Sequence, residues 1–296
     1  MNRRTRLLIA AALTAAWWLG ASARADPPEL PAPALRVVSM NPSLTEMLIA
    51  FDAKQVLVGI DEFSASLEPA VAKLPRVGGF FNPSLESVVA LEPDLVVVVP
   101  SVQQRDFRSR LGELGIEVIE LASITLEELL ESMQILGDRV DRSNEARERV
   151  AAIRRTWSEI ARESALRPRR SAVLVLQRDP LYLVGGGSYL SSMLSAAGLD
   201  NAAAEYSDSY PRVSLEWLIA SRPQVIIDSS ADPVPAVVHW SRWASIPAVA
   251  NGRVIGVPQG LVTLPGPYLD RSLRAMVAAI RSVDENSNTD DGAAPQ

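Results

Sequence analysis

The chain has 296 residues, with 29 basic against 35 acidic side chains, a formal net charge of −6, one histidine and no cysteine. The acidic balance argues against nucleic acid and against adhesion to anionic lipid. Without cysteine there is no disulfide, cysteine nucleophile or lipidated N-terminal cysteine, and a lone histidine, His239, cannot build a multi-histidine zinc, copper or haem site.

In chain order, Arg3, Arg4 and Arg6 precede an uncharged apolar stretch over residues 7–21, and Ala23-Arg24-Ala25 offers small residues for cleavage. This is the pattern of a secretory signal over residues 1–25. The apolar stretch is shorter than the ~20 residues a membrane span needs. Cleavage there removes four arginines and no acid, taking the net charge from −6 to about −10. A soluble, unlipidated periplasmic protein, stable by packing alone, is the expectation.

Residues 36–39, 56–60, 95–99 and 116–121 are short and apolar, as buried parallel strands are. Helical patterns fall between them at 43–51, 84–92 and 103–114, the last with Phe107, Leu111 and Leu114 on one face. Thr125-Leu126-Glu127-Glu128 is a capping-box start for a helix that ends near Val140. Residues 143–166 contain no glycine or proline, and Val150, Ile153, Trp157 and Ile160 form one apolar stripe. That spacing predicts a single helix about 36 Å long, midway along the chain, acting as a rigid connector. A strand at 172–177 follows, then a turn at Gly185-Gly186-Gly187-Ser188, a helix at 189–197, strands at 224–228 and 254–257, and a last helix at 268–283.

The alternation predicts an α/β fold of two lobes, each a mostly parallel sheet flanked by helices, joined by one long helix. The expected divisions are a signal peptide at 1–25, an N-terminal lobe at 26–142, a connecting helix at 143–167, a C-terminal lobe at 168–284 and a disordered tail at 285–296.

A short phrase occurs twice. Ser84-Leu85-Glu86 leads to Pro93-Asp94-Leu95-Val96, and Ser214-Leu215-Glu216 leads to Pro223-Gln224-Val225-Ile226, so the two glutamates are 130 positions apart. Each serine can cap a helix and each acid then sits in the first turn, where a carboxylate is favoured without any partner. Two matched copies point beyond that local role, to one exposed acid per lobe.

The repeat is one of several ordered motifs. Asn41-Pro42-Ser43-Leu44-Thr45-Glu46 precedes the first copy; Gly187-Ser188-Tyr189 and Ala197-Gly198-Leu199-Asp200-Asn201 precede the second. Ile246-Pro247-Ala248-Val249, Asn251-Gly252-Arg253-Val254 and Gly266-Pro267 come after it. Together, over residues 35–283, they resemble the periplasmic substrate-binding proteins for vitamin B12 and ferric siderophores, the class whose lobes are joined by one helix. The resemblance implies a monomeric carrier that delivers a captured small molecule to an ABC importer with a permease homodimer. It also implies that Glu86 and Glu216 dock onto permease arginines.

Open α/β sheets bind ligands at the carboxyl ends of their strands. That rule selects Asn41, Phe63, Phe80, Phe81 and Ser101 in the first lobe, and Gln177, Arg178, Tyr189, Tyr210 and Gln259 in the second. Gly78-Gly79 lets the backbone approach a ligand, and of the two phenylalanines that follow, Phe80 is the one expected to face the cleft. Anionic chelates need arginine or lysine, and these loops offer few beyond Arg178 and Arg212. Aromatic and small polar walls suit a cobalamin-like corrin or a neutral hydroxamate siderophore. No catalytic residue, resident cofactor or metal site is expected, and His239 reads as a packed residue on a short helix rather than an axial ligand. Two alternatives remain: a secreted hydrolase using Ser188, although the G-x-S-x-G elbow is missing, and an importer-independent scavenger or sensor of the same ligands.

Overall fold

The computed structural model describes residues 35–290, apart from residues 68 and 263 and the side chains of residues 67, 261 and 285–290. The expected signal peptide lies outside the described residues. The first sheet holds β1 (Val37–Ser39), β2 (Leu57–Ile60), β3 (Leu95–Val98) and β4 (Glu117–Glu120), all parallel, in the order β2-β1-β3-β4. Helices α1 (Pro42–Ala50), α2 (Ser64–Leu67), α3 (Leu85–Val89) and α4 (Arg105–Glu113) lie between its strands. The expected second strand is trimmed to Leu57 because Lys54–Val56 form a 3-10 turn. Then come α5 (Leu126–Arg139) and α6 (Ser143–Ser164).

The second sheet holds β5 (Arg170–Arg178), β6 (Leu181–Leu183), β7 (Leu199–Asn201), β8 (Val225–Asp228) and β9 (Val254–Gly256). Its path is β6-β5-β8-β9, with β7 beside the start of β5 and only β6 antiparallel. The remaining helices are α7 (Tyr189–Ala196), α8 (Leu215–Ser221), α9 (Ala236–Trp240), α10 (Pro247–Ala250), α11 (Gln259–Val262) and α12 (Leu269–Asp290). Helix α12 runs past residue 283, into the stretch expected to be disordered; no glycine or proline interrupts it, and Arg170 holds Asp284 with two hydrogen bonds of 2.5 and 2.7 Å.

Side chains alternate across each pleated strand. Val37, Leu95 and Val97 of the first sheet and Ala172, Leu174 and Ile227 of the second enter one continuous apolar core. Val38, Val96 and Val98 pack on the opposite face with Phe107 and Leu111, while Val173, Val175 and Ile226 do the same with Leu218 and Trp240. Helix α6 supplies Ala146, Val150, Ile153 and Ile160 to the shared core, and Trp157 packs half-buried against it. The predicted stripe is therefore what ties the two sheets to one helical layer.

Helix α6 is 22 residues long, about 33 Å at 1.5 Å per residue. It meets α12 through the part-buried pair Arg149–Asp270 at 2.6 Å and the exposed pairs Arg274–Glu159 at 3.0 Å and Arg281–Glu163 at 2.7 Å. Exposed ion pairs contribute little singly, but Arg149 also donates to the Pro267 carbonyl at 3.0 and 2.5 Å, which fixes the register of the two helices.

The sequence repeat is also a repeat of geometry. Ser84 accepts the Ser87 amide at 3.2 Å to start α3, and Ser214 accepts the Trp217 amide at 3.2 Å to start α8. Each helix is followed by a left-handed residue, Glu92 at φ 45° and Arg222 at φ 47°, immediately before a proline. The right-handed helical region is disfavoured before proline, and in both copies a left-handed residue stands where a glycine often ends a helix. Asp94 then accepts the Arg36 amide at 2.8 Å and Gln224 accepts the Ser171 amide at 3.0 Å, leading the chain into the next strand.

Candidate ligand cleft

In the first sheet the chain turns from β1 to β2 on one side and to β3 on the other. The crevice beyond the carboxyl ends of β1 and β3 is thus a topological switch point, where open α/β sheets hold ligands. A cavity of about 680 Å³ lies there. Asn41, Pro42 and Ser43 wall it from the start of α1, and Val99 and Pro100 from the end of β3. Ala122, Ser123 and Ile124 close it from the segment between β4 and α5, and Glu128 from the first turn of α5. The second half of the chain adds Tyr210, Leu264 and Pro265. Both halves therefore build the cavity, and they are stitched beside it where the Tyr189 amide donates to the Ile124 carbonyl at 2.7 Å.

Asn41 has a double position. Its Oδ1 accepts the Ser43 amide at 2.9 Å and so caps α1, while the residue lines the cavity. Tyr210 is half-buried, its amide donating to Asp208 Oδ1 at 2.9 Å, and burial pushes its phenol above the usual tyrosine range. These two are the site candidates that the structure brings to the cavity wall.

The other first-lobe candidates sit on the same edge of the sheet but off the wall. Phe63 and Phe81 are 62% and 84% exposed, and Phe80 is half-buried with its ring edge-on to Phe81 at 5.0 Å. The exposed ring of the pair is thus Phe81, not Phe80: the Phe80 carbonyl accepts from Gln104 Nε2 at 2.6 Å, which holds that residue to the start of α4. Ser101 donates to Gln103 Oε1 at 2.9 Å.

In the second half, four expectations change. Tyr189 is 1% exposed: it opens α7, its hydroxyl donates to the Val262 carbonyl at 2.9 Å, and burial pushes its phenol far up. It is core rather than wall. Arg178 is also buried, its Nε 2.8 Å from Asp228 Oδ2 and its Nη1 2.7 Å from the Val234 carbonyl and 3.1 Å from Asp232. Gln177 is exposed and donates to the Asp179 carbonyl at 2.9 Å. Gln259 begins α11 with an exposed side chain, away from the cavity wall.

Asp228 anchors this corner. Besides Arg178 it accepts Trp240 Nε1 at 2.6 Å, the Ser230 hydroxyl at 2.7 Å and the Ser230 amide at 3.0 Å. Burial pushes its carboxyl upward, but the hydrogen bonds from Ser230, Trp240 and Arg178 outweigh this and hold it below the usual aspartate range. His239, on α9, lies against the Trp240 and Trp243 rings at 4.9 and 5.5 Å; burial first, then Arg178 and Arg242, depress its basicity. Ser188, the nucleophile of the hydrolase alternative, is buried: its hydroxyl accepts the Ser191 amide at 3.1 Å and donates to the Gly185 carbonyl at 3.3 Å, capping α7.

Glu86 and Glu216 are both exposed in the first turns of α3 and α8. Backbone and Ser214 hydrogen bonds hold the Glu216 carboxyl below the usual range, so it is charged at neutral pH. No helix among the described residues is long and apolar enough to cross a membrane.

The sequence rule missed the segment between β4 and α5, though it follows a strand's carboxyl end and is marked by the Thr125 capping box. It supplies Ala122, Ser123 and Ile124 to the wall, and the first turn of α5 adds Glu128.

Comparison with known proteins gives a consistent result. A family model described as periplasmic binding protein matches residues 37–261. A vitamin B12-binding protein of Salmonella typhimurium is 27% identical over 246 residues, covering 82% of this chain and 87% of that protein. The crystal structure of a periplasmic vitamin B12 binding protein of Vibrio cholerae superposes with a TM-score of 0.73 at 23% identity, over 85% of this chain and 98% of that one. A periplasmic heme binding protein of Vibrio cholerae gives the same TM-score, 0.73, at 19% identity, over 83% and 98%. At these identities the two structures speak for the fold, and they carry different cargo names.

Proposed function

Because the chain belongs to the periplasmic binding protein family, we propose that it captures a cobalamin-like corrin or a ferric siderophore in the cleft between its two sheets and hands it to an ABC importer. The observation that carries this reading is the cavity of about 680 Å³, walled by both halves of the chain at a topological switch point. Its size falls within the ~300–1,000 Å³ of small-molecule pockets. The vitamin B12-binding relatives support the corrin as the first candidate.

Glu86 and Glu216 are the docking acids of this reading, one per sheet, and the permease homodimer is the partner they meet. Their exposure, matched serine caps and equal placement before the central strands β3 and β8 support it. The carrier acts as a monomer in the periplasm after loss of residues 1–25, with no catalytic step.

Titration calorimetry of purified protein with cyanocobalamin, haemin and a panel of ferric siderophores tests the capture. One ligand should bind at one site per chain and raise the unfolding midpoint by an amount that follows RT ln(1 + [L]/Kd). Silence across the whole panel would refute the ligand class.

A further inference from the structure

The cavity wall has a charge pattern that narrows the cargo, an inference that rests on the capture reading above. Among the lining residues Glu128 is the one that carries a charge; the rest are apolar or bear hydroxyl or amide groups. Glu128 is half-buried and held in place. Its Oε2 accepts the Thr125 amide at 2.9 Å, and its own amide donates to Thr125 Oγ1 at 3.1 Å. This reciprocal capping box engages Oε2 and leaves the carboxylate of this lining residue with further acceptor capacity.

Three arginines on neighbouring segments are engaged elsewhere, and Arg212, two positions from Tyr210, is exposed and does not line the cavity. Arg154 pairs with Glu127 at 2.6 Å, Arg108 with Glu120 at 3.1 Å, and Arg178 with Asp228 at 2.8 Å. A wall with one fixed carboxylate and no arginine or lysine offers a bound anion hydroxyl and amide donors but no counter-charge.

We infer that Glu128 sets the charge selectivity of the cleft, accepting N–H or O–H donors from an uncharged or cationic cargo and turning away cargo that brings carboxylates to the wall. The favoured class is a macrocycle or chelate rimmed by amides; the disfavoured class includes porphyrins with free propionates and polyanionic ferric chelates. Two carboxylates facing each other at about 6 Å, in the effective dielectric of a partly buried site, lower affinity by roughly tenfold to a hundredfold.

The test compares cyanocobalamin with its hydrolysed derivatives, in which rim amides are replaced by carboxylates on the same ring. Affinities are measured for the wild-type chain, Glu128→Gln and Glu127→Gln. Glutamine serves at the third position of a capping box, so Glu128→Gln keeps the helix start, which its unfolding midpoint checks. Wild type should prefer the amide form by about tenfold or more, and Glu128→Gln should shrink that preference severalfold. Glu127→Gln, outside the wall, should leave the ratio as it is. An unchanged ratio in Glu128→Gln, equal wild-type affinity for both forms, or tighter binding of haemin than of cyanocobalamin would each overturn the selectivity while leaving ligand capture intact. If neither corrinoid nor haemin nor any ferric siderophore of the panel binds the wild-type chain, the capture reading fails first and the selectivity falls with it.

Discussion

Replacing Arg178 by methionine separates a structural arginine from a ligand-binding one. The side chains of Arg178 and Asp228 are 5% and 0% exposed and 2.8 Å apart. Removing one partner of a buried pair costs about 3–5 kcal/mol, because the other charge stays buried and uncompensated. Asp228 keeps its bonds from Trp240 and Ser230, which places the expected loss at the lower end, about 3 kcal/mol. For a chain of this size that lowers the thermal midpoint by about 5 °C. Urea and thermal unfolding followed by circular dichroism at pH 7 measure it. The pH dependence has a definite sign. The Asp228 carboxyl lies below its unfolded value of ~3.9, so its stabilising contribution is complete above that value and is lost as the pH falls through the folded value. The gap between wild type and Arg178→Met should therefore hold from pH 7 to about 5 and narrow below about 4. Ligand affinity of the folded variant should stay near wild type. A loss under about 1 kcal/mol would mean that the pair behaves as a surface pair, and the reasoning would be wrong.

The glycine turn gives a second contrast. A Cβ on Gly186 would lie 2.1 Å from the Ala204 carbonyl oxygen, whereas one on Gly187, at φ 73°, meets nothing within 4 Å. Gly186→Ala should cost about 3 kcal/mol or more in chemical unfolding and Gly187→Ala only about 1; equal costs would remove the steric argument. Glu86→Ala and Glu216→Ala should each weaken association with the importer and abolish it together, with cargo affinity unchanged and the unfolding midpoint lowered only slightly by the lost first-turn carboxylate; full transport by the double variant would end the docking role.

Much of the architecture was legible because buried parallel strands and amphipathic helices carry their own periods. The stripe Val150, Ile153, Trp157, Ile160 marked α6, and the Thr125 capping box marked the start of α5. The short strands β6 and β7 were not legible: three residues each, they exist only through pairing with β5. The cleft was half legible. Asn41 and Tyr210 follow from the strand-end rule; the same rule selects Arg178 but not its burial, since its partner Asp228 is 50 residues away and a register irregularity between Val175 and Gln177 breaks the alternation that fixes its face. Tyr189 misleads for a different reason: an apolar ring with a polar tip suits a core as well as a cleft wall, and only the carbonyl of Val262 decides.

The most direct measurement fills the cavity from within. Ser123 lines it from the segment before α5, and Ser123→Trp places an indole in the space proposed for the cargo. Calorimetric titration of this variant beside the wild type, using the cargo that binds wild type most tightly, should show at least a tenfold loss of affinity with the unfolding midpoint within about 2 °C. Undiminished binding to Ser123→Trp would place the cargo elsewhere and contradict the cleft as the site of capture.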